Sequence, residues 1–270
     1  MQIRLTRAVK GLVIACFAAF FIQQTADQFF GGNILSWFGL IPAGVIIDHR
    51  FWQVFTYAFL HGDVMHLFLN MVMLVFIGSE LEALWGIGPF LRYYFFCSIS
   101  AGVLYLLMQV FVWGGEGLHT PMVGASGAIY GLLMAYGLIF GERVLLFMML
   151  FPMKAKFFVW ILAGIEFMTS VYSGRSGGLS SIAHLGGMAA GFCYLWVLAS
   201  IKVAKKRRQA GLSAFNFGGV AGRAQLAMKK HKLAKLKKSG HLKLVKGAGG
   251  NPSDSPDSND SEDSDPKTWH

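Results

Sequence analysis

GASGAIYGLLMAYGLIF, residues 124–140, is an apolar run without a charged side chain that nonetheless opens on a serine, Ser126. A second apolar stretch, Ile182–Ile201, carries AHLGGMAAG, residues 183–191, with His184 near its start. Both approach the roughly 17–25 residues that cross a bilayer as a helix. Lipid offers polar side chains no water, so a serine and a histidine inside such runs face a protein interior or a wet cavity and find partners there.

Four further apolar stretches flank these two: Val9–Thr25, Val64–Leu84, Phe90–Val112 and Phe157–Tyr172. Composition agrees with a membrane chain, since 54% of the 270 residues are hydrophobic and only 14% charged, against the roughly 45–50% apolar share of soluble domains. The expectation is an all-α polytopic membrane protein, a six-transmembrane-helix bundle. Val144–Phe151 is apolar but too short to span, and Pro152, Lys154 and Lys156 follow it; it reads as a span extension or an interfacial turn. The connection Ala26–Asp63 is long and greasy, and Trp37, Trp52 and Tyr57 suit the headgroup level, so this first loop is placed partly in the membrane interface.

Basic residues orient the bundle, because Lys and Arg accumulate in cytoplasmic connections. Arg4, Arg7 and Lys10, then Arg92, then Arg143, Lys154 and Lys156, then Lys202 and Lys205–Arg208 all fall on one side. Both termini are therefore expected in the cytoplasm, with residues 1–10 as an N-terminal stub, 11–201 as the membrane domain and 202–270 as a tail. Arg4, Arg7 and Lys10 would also serve a cleaved signal, but no A-x-A-like site follows, and the first segment is read as a span. The tail carries 14 of the 24 basic residues in Lys202–Gly250, without an acid, and then turns acidic. MKKHKLAKLKK is expected to lie on anionic lipid, and the acidic end to be disordered; the nearby membrane is a better polyanion for this tail than nucleic acid.

With that topology the second, fourth and sixth spans start from the outer face. His66 and Asn70 lie in the first turns of the second, Ser126 opens the fourth and His184 the sixth, so three segments deliver polar groups to one depth. Ser126 and Tyr130, four apart, share a helix face. Gly127 with Gly131, and Gly187 with Gly191, form two GxxxG pairs that let helix backbones approach closely. If those faces meet, Ser126 and His184 come within hydrogen-bond distance, with Tyr130 flanking the imidazole.

Such a pair suits nucleophilic acyl transfer, because serine is a weak nucleophile until a base accepts its proton. His66 and Asn70 could donate to a tetrahedral oxyanion alongside the backbone N–H of Ser126. His61 is expected to brace the site. Glu166 is the one carboxylate well inside a span near this site and is read as an interhelical or gate contact, leaving a Ser-His dyad. HGDVMH is not HExxH, so no metal is expected, and no cofactor. Cys16, Cys97 and Cys193 fall in separate spans without ligand spacing and are read as buried apolar side chains.

HGDVMHLFLNM at 61–71, GASGAIYG at 124–131 and AHLGGMAAG at 183–191 resemble the three signature segments of rhomboid intramembrane serine proteases, a similarity covering roughly Lys10–Lys202. The resemblance implies Ser126 as nucleophile, His184 as base, His66 and Asn70 as oxyanion donors, Tyr130 as the ring stacked on the histidine, Gly187 and Gly191 as close-packing glycines and Gly124 as the start of a GxSG pattern. It further implies single-pass membrane proteins as substrates, cut near the outer face, and a bacterial inner-membrane location. One departure is visible: the family often has Trp-Arg in its first loop where this chain has Trp52-Gln53, which puts the loop's anchoring contacts in question. A noncatalytic rhomboid-like protein that binds membrane clients and a small transporter are the alternative readings.

Overall fold

The computed structural model describes residues 5–112, 117–147, 151–172 and 174–209. Glu116 and most of the tail, including MKKHKLAKLKK and the acidic end, lie outside the described residues. A compact unit covers Met1–Lys206, and a separate unit follows from Arg207.

Helix α1, Arg7–Phe29, is capped by another helix. Thr6 at its N-cap makes no side-chain cap bond; instead the Glu82 carboxylate accepts from Ala8 N at 2.9 Å and Val9 N at 2.8 Å. A negative group at a helix N-terminus satisfies free N–H groups and complements the dipole. The first loop is built of three short helices, α2 Ile34–Phe38, α3 Pro42–Ile46 and α4 Gln53–Thr56, followed by a 3₁₀ turn, Tyr57–Phe59. Trp37 and Trp52 stay exposed on it, but Tyr57, also expected at the headgroup level, is buried, because its ring packs against the later helix Ile87–Phe111 and its hydroxyl donates to the Ser98 carbonyl at 2.6 Å.

Asp63 caps helix α5, Val64–Met73, by accepting from His66 N at 2.8 Å. The helix runs through a π turn, Leu74–Gly78, into α6, Ser79–Trp85. Gly86, at φ +81, breaks the chain before α7, Ile87–Phe111. Helix α8, Ser126–Ile139, leads into an antiparallel hairpin of β1, Val144–Phe147, and β2, Phe151–Lys154. Helices α9, Ala155–Tyr172, and α10, Gly174–Gln209, complete the described chain.

Among the described residues, five helices are long and apolar enough to cross a membrane: Arg7–Phe29, Val64–Trp85, Ile87–Phe111, Ala155–Tyr172 and Ser180–Arg208. The fourth of the six expected spans is shorter than the apolar run that suggested it. At 14 residues, α8 rises only about 21 Å, less than the roughly 30 Å of a hydrocarbon core. Its N-terminus is set back because the preceding residues run as extended chain: Met122 and Leu40 exchange backbone bonds at 2.9 Å, and Gly124 takes φ +118. Non-helical backbone at that depth is tolerable where it lines a cavity. The hairpin at 144–154 is the departure from an all-α chain: Val144–Phe147, expected as part of a span extension or an interfacial turn, pairs as a strand with Phe151–Lys154, Pro152 standing opposite Leu146.

The main core gathers Leu12 and Cys16 of α1, Leu74 and Leu81 of the second span, Phe90 and Tyr94 of α7 and Leu132 of α8. A smaller cluster packs the first loop, through Leu40, Val45 and Tyr57, onto Ala101 and Tyr105 of α7. Large apolar residues such as Phe21, Trp160, Phe167 and Trp196 remain exposed, a belt that water would not tolerate and lipid solvates. Cys16 and Cys97 are buried, whereas Cys193 is exposed rather than buried as expected. On the side expected in the cytoplasm, Glu80 of α6 pairs with Arg143 and accepts from Tyr136 at 3.1 Å. The connections at 80–92 and 141–154 thus share one face of the bundle, which the alternating topology demands.

Candidate active site

Ser126 is the first residue of α8 and His184 lies in α10, and Ser126 Oγ stands 2.7 Å from His184 Nε2. The approach depends on the two glycine pairs. A Cβ at Gly187 would overlap the carbonyl oxygen of Gly127, and one at Gly191 would stand 3.2 Å from Gly131 Cα. The two GxxxG faces are therefore in contact, backbone on backbone. Tyr130, one turn below Ser126, stacks on His184 with ring centroids 4.2 Å apart and planes 7° from parallel.

Helix α10 begins at Gly174, not near Ile182. Gly and Ser in SGRSGGLSS hide that helical backbone from any search for apolar runs. His184 consequently sits in the third turn of its helix rather than at its opening. Ser126 does open its helix, so its backbone N–H is one of the four that lack a partner within the helix.

A cavity of about 80 Å³ opens onto the pair, enough for several waters. Ser126, His184, His66, Tyr57, Gly124 and Ser180 are among the residues that line it. His66 crosses behind Gly124: a Cβ there would stand 2.8 Å from His66 Cε1 and Nε2. Glycine at 124 thus answers two demands, the close imidazole and the positive φ. The Gly124 N–H donates to the Tyr57 carbonyl at 3.0 Å, which ties this wall to the first loop. Asn70, four residues after His66 on α5, is buried, and its Nδ2 has no hydrogen-bond partner. It is not among the residues lining the cavity.

His61 lies beneath His66, fully buried, with ring centroids 5.2 Å apart in an edge-on contact. Its carbonyl accepts from Gln23 Nε2 of α1 at 3.1 Å. Burial, reinforced by the neighbouring His66, holds its imidazole down at about 4, so a neutral ring lies against that of His66.

Glu166 reaches this site from α9 and makes interhelical contacts, as its sequence reading expected. One carboxylate oxygen accepts from the Tyr130 hydroxyl and stands 3.0 Å from His184 Nδ1. Nδ1 nevertheless makes no hydrogen bond: the carboxylate lies off the direction of the ring N–H, so the contact is electrostatic. Spacing alone did not name its partners, because Glu166 meets Tyr130 and His184 across three helices.

Gln53, which stands where an arginine was looked for, is fully buried. Its Oε1 accepts from Ile41 N at 3.1 Å, and its Nε2 donates to the carbonyls of Ser36 at 2.9 Å and Trp37 at 3.3 Å. Arg50, three residues earlier, supplies the guanidinium, donating to the Ser36 carbonyl at 3.1 Å and lying 4.6 Å from the Trp37 ring centroid. The anchoring contacts are present with different side chains.

Residues 48–201 match the family model of the Rhomboid domain. The chain belongs to the rhomboid family. Among its relatives, Rhomboid protein 1, mitochondrial, of Saccharomyces cerevisiae is 31% identical over 162 residues, covering 58% of this chain and 44% of the yeast protein. Rhomboid-like protease 3 of Toxoplasma gondii is 34% identical over 95 residues, 35% of this chain and 33% of that protein. Rhomboid protease GluP of Bacillus subtilis is 25% identical over 155 residues, 57% of this chain and 27% of that protein. This rhomboid chain thus spans less than half the length of these curated relatives. The rhomboid match contains every polar residue gathered around the cavity, from His61 to His184. It also makes the chain an integral, multi-pass membrane protein.

Proposed function

We propose that this chain is an intramembrane serine endopeptidase that hydrolyses peptide bonds in or near the transmembrane segments of single-pass membrane proteins. The observation that carries the reading is the 2.7 Å contact between Ser126 Oγ and His184 Nε2 beside a cavity. Two of the relatives are named as proteases, which supports it.

In this mechanism Ser126 Oγ attacks the scissile carbonyl carbon while its proton passes to His184 Nε2. The carbonyl oxygen becomes an oxyanion, and donors that strengthen on it lower the barrier; losing one such donor typically costs about 10²–10³ in rate. The backbone N–H of Ser126 and the side chains of His66 and Asn70 fill that role. Collapse breaks the C–N bond, the leaving amine takes the proton from His184, and water then hydrolyses the acyl-serine with His184 again as base. Tyr130, stacked face to face on the imidazole, limits its rotation. No cofactor is required.

Cleavage falls near the outer face, a reading supported by a cavity lined by Tyr57 of the first loop and by Met122, Val123 and Gly124 before Ser126. Both termini lie in the cytoplasm, residues 11–201 form the membrane domain, and the chain sits in a bacterial inner membrane. The basic part of the tail, from Lys202, contacts anionic lipid. In proteoliposomes, the wild type is expected to cleave members of a panel of single-span helices, and Ser126→Ala to bind them without cleavage. Cleavage that persists in Ser126→Ala would remove the serine from the chemistry, and a chain that only binds clients would show no difference between the two.

A further inference from the structure

Glu166 is nine-tenths buried in α9 and touches two residues of the dyad's surroundings with one oxygen. We propose that Glu166 is a positioning residue for His184, holding the imidazole with its Nε2 lone pair toward Ser126 and stabilising the cation formed when the serine proton arrives. The inference rests on the protease reading above and makes the site a dyad with a third, electrostatic partner.

The argument begins with the imidazole. A neutral ring carries one N–H and one lone pair. A base acting on Ser126 needs its lone pair at Nε2, where the hydroxyl stands 2.7 Å away, so the proton must reside on Nδ1. Nδ1 is the nitrogen that faces Glu166 at 3.0 Å. An anion there favours that tautomer, because the other would set a lone pair against a carboxylate. As Ser126 Oγ bonds to the carbonyl carbon, its proton moves to Nε2 and the ring becomes a cation; Glu166 takes no proton itself, and its charge offsets the new one at short range in a low dielectric.

Glu166 is in turn held by Tyr130, whose hydroxyl donates to it and whose ring stacks on His184. The Ser181 hydroxyl of α10 reaches the same carboxylate. The imidazole is thus constrained on a face by Tyr130 and at its two nitrogens by Ser126 and Glu166. A plain tie between helices needs only the tyrosine and the carboxylate; the placement of Nδ1 over the same oxygen is what adds the positioning role. Since the carboxylate lies off the N–H direction, its removal should cost less than the roughly 10⁴-fold loss known where an aligned buried acid orients a catalytic histidine.

The test uses the detergent-solubilised full chain and a fluorophosphonate probe, which reports Ser126 reactivity without a protein substrate. Glu166→Gln keeps a partner for the Tyr130 hydroxyl but removes the charge; Glu166→Asp keeps the charge. The first-order inactivation constant is expected to fall about 10²-fold in Glu166→Gln, while the half-saturating probe concentration stays within about twofold and Tm within about 2 °C. Glu166→Asp should recover about tenfold of the loss. Wild-type reactivity in Glu166→Gln, a rate loss that tracks a falling Tm, or an aspartate variant no better than the glutamine one would each overturn the positioning role and leave the protease reading intact. A wild type that does not react, or a Ser126→Ala variant labelled equally, would overturn the protease reading and this inference with it.

Discussion

Gly187 of α10 and Gly127 of α8 meet backbone to backbone, with no room for a side chain between them. That contact sets the distance between the two helices, and therefore the reach from His184 to Ser126. Gly131 continues the seam: a Cβ there would stand 3.2 Å from the Gly187 carbonyl oxygen. The Ser126–His184 separation is thus set by residues that carry no side-chain chemistry.

Gly187→Ala should force the helices apart. The obstructing atom is a main-chain oxygen, which cannot rotate away, and overpacking of this kind typically costs about 1–3 kcal/mol. Gly164→Ala on α9 is the control, because a Cβ there meets nothing within 4 Å and alanine is the better helix former. Thermal unfolding in detergent should show a Tm several degrees lower for Gly187→Ala, roughly 2–4 °C per kcal/mol, and an unchanged or raised Tm for Gly164→Ala. Fluorophosphonate labelling of Ser126 should drop only in the first. Equal Tm values in the two variants would mean that this seam does not set the helix spacing.

Local sequence revealed the spans because apolar runs and GxxxG pairs are chemical signals within one segment. Ser126, Tyr130 and His184 were legible for the same reason: each breaks an apolar pattern or shares a face with one that does. The start of α10 was not, since Gly and Ser at 174–181 carry helical backbone without helical composition. The shortness of α8 depends on pairing between Leu40 and Met122, residues far apart in the chain. The partners of Glu166 and Gln53 were hidden for a related reason. They lie on other elements, and no spacing rule connects position 166 to 184, or position 53 to 41.

Gln53→Ala should loosen the first loop. It would remove the acceptor of the Ile41 N–H and the donor to the Ser36 and Trp37 carbonyls; leaving such groups unsatisfied costs about 1–3 kcal/mol. Gly44 packs against the same carboxamide, 2.7 Å from Oε1 to an added Cβ, so truncation also opens a void there. Hydrogen exchange is the direct measurement: the Ile41 amide, protected in the wild type, should exchange at least about tenfold faster in Gln53→Ala, in step with a loss of more than 1.4 kcal/mol of local stability. Unchanged protection at Ile41 would show that the loop is held by Arg50 and Trp52 instead.

His61 should make stability depend on pH in a window that can be named in advance. Its ordinary value of 6.5 falls to about 4 in the folded chain, first through burial and then through the adjacent His66. Between those values the unfolded chain binds a proton that the folded one refuses, so stability is complete above about pH 6.5 and is lost as pH falls toward 4. The shift corresponds to roughly 3–4 kcal/mol as an upper bound. Replacing the imidazole with a group that does not titrate, His61→Gln, should lower Tm at pH 7 but flatten its decline between pH 6.5 and 4.5 relative to the wild type. Other acid-sensitive groups act in both proteins, so the difference between the two curves isolates this residue. Parallel curves across that interval would show that His61 takes up no proton on unfolding, and that its neutrality contributes nothing to bracing the cavity.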